Sequence, residues 1–387
     1  MRADAEFDII VYGATGFTGR LVAEYLSNRI APDRWAMAGR SATKLAEVRD
    51  VVGAPSAVAL IVADAADAVS LQAMVARARV VLTTVGPYQL YGNELVAACA
   101  AAGTDYVDLC GEPAWMRHMI DAHDSAAKAS GARIVFSCGF DSIPFDLGVM
   151  FTQDAARERN GRPASRIKCR VRAMKGTFSG GTSASLKATM AAAAKDLSVL
   201  GLLRDPFALT PGFKGPSQPM GLIPEYDSAT GRWAAPFVMA PINTKNVHRT
   251  NALLGHPYGT DFRYDEMLLT TIGDAGRAAA EAIAKLNPMS DAKGPKPGEG
   301  PSKEERDAGF YDILFVAETP DGEEIRASVK GDRDPGYGST SKMIAEAALQ
   351  LIETDSAGGV WTPGALMGQS LTERLTAHAG LTFKRES

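Results

Sequence analysis

Over the first third of the chain, short aliphatic and β-branched runs alternate with segments whose apolar residues recur at helical spacing. Phe7-Asp8-Ile9-Ile10-Val11-Tyr12 reads as a strand, followed by a helix from about Phe17 to Ser27. Trp35–Ala38 is a second strand, and Ser41 caps a helix predicted to run to Val51. Ala57–Val62, Val80–Thr84, Asp105–Leu109 and Arg133–Ser137 supply four more strands. Helices are predicted over Asn93–Ala102 and Ala114–Ser130. Strand–helix alternation of this kind predicts a parallel sheet covered on both faces, wound doubly by right-handed crossovers.

After about Pro144 the rhythm changes. Lys168–Met174 is a strand candidate, and Ser183–Leu203 reads as one Ala-rich helix. The runs Tyr311–Glu318 and Glu324–Lys330 flank Asp321-Gly322, a hairpin signal. Pro288–Glu305 reads as an exposed loop, and Ser339–Glu353 as the last clear helix. The predicted fold class is α/β: a Rossmann doubly wound sheet over 1–142 and a second, α+β domain over 143–337 for substrate and dimerisation. The C-terminal helices of about 338–387 are expected to pack back on the first domain.

Composition narrows the function. Of 387 residues, 46% are apolar and 22% charged, an ordinary soluble balance. The net charge of −4, with no dense Lys/Arg run, argues against a nucleic-acid partner. Cys99, Cys110, Cys138 and Cys169 show neither zinc spacing nor a redox pair, so they read as reduced thiols of a cytoplasmic protein. The acidic start does not resemble a signal peptide, and Lys187, Lys195 and Asp196 interrupt the nearest candidate for a membrane span. The scattered histidines offer no metal site.

Gly13-x-x-Gly16-x-x-Gly19 lies between the first strand and the first helix, where a dinucleotide needs it. Its glycines permit a sharp turn, a close approach by pyrophosphate and tight helix packing, while the helix start offers amides to phosphate. Thr15 and Thr18 add hydroxyls, and Phe17 completes the loop. At the end of the second strand an NAD enzyme carries a carboxylate, but here Arg40, Ser41 and Lys44 stand instead. A guanidinium, a hydroxyl and an ammonium suit the 2′-phosphate of NADP(H). Asp64 is placed either to meet adenine or to cap a helix. The segment Val85-Gly86-Pro87-Tyr88 is expected to pass the nicotinamide ribose. Tyr88 there is either a ribose or substrate contact or a buried structural residue. A Tyr-x-x-x-Lys pair, which a short-chain dehydrogenase needs, is absent.

These segments occur in order with Tyr91-Gly92, Gly111-Glu112-Pro113, Gly139-Phe140-Asp141-Ser142-Ile143-Pro144, Ser179–Thr182, Asn251–Leu253, Asp334–Gly338 and Gly358–Pro363. The set resembles the saccharopine dehydrogenase-like oxidoreductases, including the trans-acting enoyl reductases. The resemblance implies an NADP(H) enzyme that reduces a C=C bond of a lipid or polyketide acyl chain. It further implies an acyl-carrier or polyketide synthase partner. Gly139–Pro144 departs from the Gly-x-Asp-Pro-Gly of true saccharopine reductases, so a C–N dehydrogenase stands as the alternative. A non-enzymatic NADP(H) sensor or scaffold is the third reading.

Enoyl reduction needs an acid for the α-carbon, and Tyr88 and Asp141 are the candidates for catalysis; Asp141 reads first as a cap of the helix that begins near Ile143, and otherwise as a proton relay. Lys175, Ser179, Thr182, Arg249, His256 and Tyr258 are candidates for lining the cleft from the second domain. Leu197–Pro224 is a lid over an apolar substrate, a contact for a membrane surface or carrier, or plain packing. A homodimer is expected, cytoplasmic or peripheral at a membrane.

Overall fold

Aliphatic runs too uniformly apolar to face water on either side become strands buried on both faces. In the structure, a computed structural model describing residues 5–177, 180–286, 298–319 and 322–386, six such strands come first. They are β1 (Phe7–Tyr12), β2 (Trp35–Gly39), β3 (Ala59–Val62), β4 (Ala78–Thr83), β5 (Asp105–Val107) and β6 (Arg133–Val135). All pair in parallel, in the order β6-β5-β4-β1-β2-β3. The strand order reverses between β1 and β4, and that switch point opens the crevice where such sheets bind ligands. Ile9, Ile10 and Val11 at the centre of β1 are fully buried.

A second sheet is mixed. Its strands are β7 (Arg166–Lys175), β8 (Glu225–Asp227), β9 (Arg232–Pro236), β10 (Arg263–Leu269), β11 (Phe310–Glu318) and β12 (Glu324–Gly331). The C-terminal segment adds β13 (Gly359–Trp361) to the first sheet beside β6, and β14 (Leu381–Glu386) to the second beside β12. The α/β class with an added α+β unit is therefore as expected. The tail, however, divides between the two sheets. The helix Thr340–Glu353 packs on the parallel sheet, where Glu346 holds Tyr25 of the first helix and Arg29 just beyond it, whereas the last strand leaves it.

Three further differences have identifiable causes. The Ala-rich segment is two helices, Gly180–Lys195 and Leu197–Arg204, because Asp196 accepts the Ser198 amide at 2.8 Å and starts the second. The helix Ala240–Leu253 gives no apolar period, since Asn243, Lys245, Asn246, His248, Arg249, Thr250 and Asn251 are all buried. Within the expected loop, Ser302 and Glu305 form a capping box that starts a short helix, Lys303–Asp307. The hairpin pairs Ile313 with Val329, while Pro320 and Asp321 of its turn lie outside the described residues, as do residues 287–297 of the loop.

Candidate functional site

The glycine loop folds as its residues require. Gly13 takes φ +89°, and a Cβ there would stand 2.7 Å from Val85 Cγ2. At Gly19 a Cβ would stand 2.1 Å from the Gly13 carbonyl oxygen, so this glycine brings the helix onto the loop. Gly16 is the N-cap of the helix Phe17–Leu26, and no side chain caps that start. The first helical amide to find a backbone partner in this turn is Arg20, donating to Gly16 O at 3.0 Å. The amides of Phe17, Thr18 and Gly19 therefore lack helical acceptors, the condition that suits a pyrophosphate. Substituting Gly19→Ala is expected to abolish NADPH binding measured by reduced-nicotinamide fluorescence; unchanged affinity would show that the loop does not hold the cofactor.

Around the end of β2, Arg40 and Lys44 are exposed, and the Ser41 hydroxyl accepts the Lys44 amide at 3.3 Å. The Thr15 hydroxyl lies 3.7 Å from where a Cβ on Gly39 would stand. Burial pushes the Tyr12 hydroxyl up to about 12, with Asp64 raising it and Arg40 lowering it. Arg40, Asp64 and Thr15 thus converge beside the ends of β1 and β2. Asp64 accepts the Ala66 amide at 3.0 Å in a local turn, whereas Asp67 caps the following helix.

Beyond β4, Val85–Tyr88 lies alongside the glycine loop. Glu112, buried, accepts the amides of Tyr88 at 2.8 Å and Gln89 at 2.9 Å, and so holds this loop to the one after β5. The role of Glu112 is invisible in sequence apart from its place in Gly111-Glu112-Pro113. The Tyr88 hydroxyl accepts the Leu109 amide at 3.0 Å and donates to Thr83 O at 3.3 Å. Its ring packs on Trp115 at 5.7 Å, and burial raises the hydroxyl well above the tyrosine range. A Cβ on Gly86 would lie 3.6 Å from Ser185 Oγ, so the helix Gly180–Lys195 overhangs this loop.

The loops after β5 and β6 meet over Asp108. Its carboxylate accepts the amides of Ser137 at 2.8 Å and Cys110 at 3.0 Å and the Tyr106 hydroxyl at 2.9 Å. Asp141 follows, half-buried, with Oδ2 lying 3.5 Å from where a Cβ on Gly111 would stand. Burial pushes its carboxyl up to about 7, and no hydrogen bond from a described residue offsets that. Asp141 does not cap the helix Ile143–Asn160, whose N-cap is Ser142 at φ +154°. The Ser142 hydroxyl instead accepts from Asn246 Nδ2, fixing an unusual backbone next to the Asp141 carboxyl.

The candidates from the second domain separate. Arg249 donates to Leu209 O and Val360 O, His256 stacks on Phe213 at 4.5 Å, and Tyr258 is buried against Phe262. Lys175 is exposed at the end of β7; Ser179 and the Thr182 side chain lie outside the described residues. The apolar stretch after Leu197 is anchored by cations: Lys245 bonds Leu203 O, Arg117 bonds Ala208 O, and Arg249 bonds Leu209 O. Phe207–Thr210 is consequently buried, whereas Met220, Leu222 and Ile223 remain exposed. Among the described residues no His, Cys, Asp or Glu cluster could hold a metal, and no helix is long and apolar enough to cross a membrane.

An uncapped helix start at a sheet switch point, beside exposed Arg40 and Lys44, is the arrangement of a Rossmann-type dinucleotide-binding domain. Residues 9–135 match the family described as the saccharopine dehydrogenase NADP-binding domain. A Mycobacterium tuberculosis protein, named provisionally as a trans-acting enoyl reductase, is 43% identical over 98% of this chain and 97% of its own length. Trans-acting enoyl reductases of Mycobacterium bovis and Mycobacterium ulcerans are 38% and 37% identical, covering 96% of each chain. Apo saccharopine dehydrogenase (L-Glu forming) from Saccharomyces cerevisiae shares the fold, with TM-score 0.55 and 12% identity over 98% of this chain and 100% of that one. The chain belongs to the saccharopine dehydrogenase-like oxidoreductases, in their trans-acting enoyl reductase branch.

Proposed function

We propose that the protein reduces the α,β double bond of an acyl thioester carried by a polyketide synthase-type partner. The observation that carries this reading is the near full-length identity to proteins bearing that name. In support, the amides of Phe17–Gly19 suit the pyrophosphate, and Thr15, Arg40, Ser41 and Lys44 suit the 2′-phosphate. Bound NADPH supplies a hydride for the substrate's β-carbon. Asp141 is assigned as the proton donor to the α-carbon, because it is the carboxyl beside Gly111 that no hydrogen bond from a described residue engages and that burial raises to about 7. Tyr88 is assigned to positioning, since its hydroxyl is engaged by two backbone groups. Exposed Leu90 and Tyr91 provide apolar surface beside this loop, and exposed Met220, Leu222 and Ile223 suit a carrier or a membrane surface.

A C–N dehydrogenase would need a free guanidinium for an amino-acid carboxylate, and Arg249 is committed to backbone carbonyls. The test is NADPH oxidation, followed by nicotinamide absorbance, with enoyl thioesters and separately with an amino acid plus an oxo acid. Turnover of enoyl thioesters alone is expected. Turnover of the amino-acid pair alone would replace this reading with the C–N one, and NADPH binding with no turnover would leave a sensor.

A further inference from the structure

The sequence Asp334-Pro335-Gly336-Tyr337-Gly338 takes no part in the chemistry above, yet it touches both halves of the site. Asp334 is buried and accepts the amides of Tyr337 at 3.0 Å and Gly338 at 2.7 Å. Pro335–Ser339 forms a single wide turn of π type leading into the helix Thr340–Glu353. Wide turns of this kind are rare and recur at functional sites.

Toward the cofactor loop, the Tyr337 ring meets Phe17 edge to face, with centroids 5.2 Å apart at 82°. Gly300 also packs on Phe17, where a Cβ would come within 2.5 Å of the ring, and the Arg306 guanidinium lies 5.7 Å from its centroid. Phe17 is the first residue of the helix whose uncapped start is proposed above to hold the pyrophosphate. The second domain therefore holds a side chain of the phosphate loop itself.

Toward the acid loop, Thr340 Oγ1 accepts the Phe140 amide at 2.9 Å and donates to Pro335 O at 2.8 Å. Gly139 approaches so closely that a Cβ would stand 3.0 Å from Thr340 Cγ2. Phe140 immediately precedes Asp141. The turn is also braced from β7, since a Cβ on Gly176 would lie 2.7 Å from Pro335 Cδ.

We propose that this turn is a bridge between the cofactor loop and the acid loop, with Tyr337 positioning the first and Thr340 the second. The Thr340 half rests on Asp141 as proton donor; the Tyr337 half rests only on the cofactor site. One Asp334-capped turn, in ring contact with Phe17 and joined through Thr340 to the Phe140 amide, ties the place of Phe17 to the place of Asp141. Cofactor and acyl ligand should then bind with a shared, reciprocal coupling.

The test compares NADPH affinity by nicotinamide fluorescence with kcat on an enoyl thioester. Tyr337→Leu is expected to weaken NADPH binding roughly fivefold to tenfold, the worth of an aromatic pair, and Tyr337→Phe to restore it. Thr340→Val is expected to lower kcat on the order of tenfold with NADPH affinity held, and Thr340→Ser to restore kcat. Unfolding midpoints identify a variant that merely fails to fold, and the two conservative variants then decide the matter. Unchanged NADPH affinity in Tyr337→Leu overturns the cofactor half. Unchanged kcat in Thr340→Val, alongside loss of turnover in Asp141→Asn, overturns the acid half. Full turnover by Asp141→Asn would instead remove the acid assignment, leaving the Tyr337 result to stand or fall by itself.

Discussion

Asp141→Asn should lower kcat by about 10²- to 10⁴-fold, the usual contribution of a positioned acid, while NADPH affinity stays within about twofold. The carboxyl does its work protonated. With burial pushing it up to about 7, kcat of the parent enzyme should fall as pH rises through that value. The asparagine variant should lose this limb of the profile. A kcat for Asp141→Asn near that of the parent would end the assignment. The same shift has a consequence for stability, and its sign is opposite to that of an ion-paired carboxylate. Because the folded state raises the carboxyl, the folded chain binds more protons than the unfolded chain between the ordinary aspartate range and about 7. The stability contributed by Asp141 is therefore fully present at low pH and is lost as pH rises through that window. Relative to the parent, Asp141→Asn should unfold at a higher temperature at pH 8 than at pH 4. Asp108 and Asp146 are raised in the same direction by burial, so the parent's own stability should decline over the same window.

The second large effect concerns coenzyme choice. Arg40→Glu places a carboxylate where the 2′-phosphate is expected, replacing attraction with like-charge repulsion. NADPH affinity should drop roughly 10²-fold or more, while NADH affinity rises, since a carboxylate there can accept from the 2′-hydroxyl. Arg40 is exposed, so the substitution carries little risk to folding. Lys44→Ala should reduce NADPH affinity less, because an ammonium contributes a point charge without the guanidinium's paired donors. Fluorescence titration of both coenzymes measures the ratio, and an unaltered preference in Arg40→Glu would move the 2′-phosphate elsewhere.

How much of this was legible in the chain varies with the range of the interactions. The six strands of the first sheet and the cofactor loop were readable because their signals are local. A run such as Ile9-Ile10-Val11 has to be covered on both faces, and Gly19 answers to the Gly13 carbonyl six residues before it. The cationic end of β2 was readable for the same reason, since Arg40, Ser41 and Lys44 follow the strand directly. The helix Ala240–Leu253 was not readable. Its buried Asn243, Asn246 and Arg249 meet partners in Glu266, Ser142, Leu209 and Val360, all distant along the chain. A polar run is otherwise the mark of a solvated surface, and no local pattern distinguishes the two. The break at Asp196 is a milder case, in which a capping aspartate outweighed a continuous helical composition.

The sequence by itself determined a parallel sheet with a glycine loop after its first strand, and the NADP(H) class of the enzyme. Each depends on residues a few positions apart, whose geometry the backbone sets directly. Only the tertiary structure decided what surrounds Tyr88, Asp141 and Asp334–Gly338. Tyr88 and Asp141 were both candidates in sequence, yet the fold gives the hydroxyl two backbone partners and, among the described residues, gives the carboxyl none. The turn at Pro335 reaches Phe17 and Phe140 across more than 190 residues. Whether a polar group is free or engaged depends on what the far chain brings beside it, and that follows from packing rather than pattern.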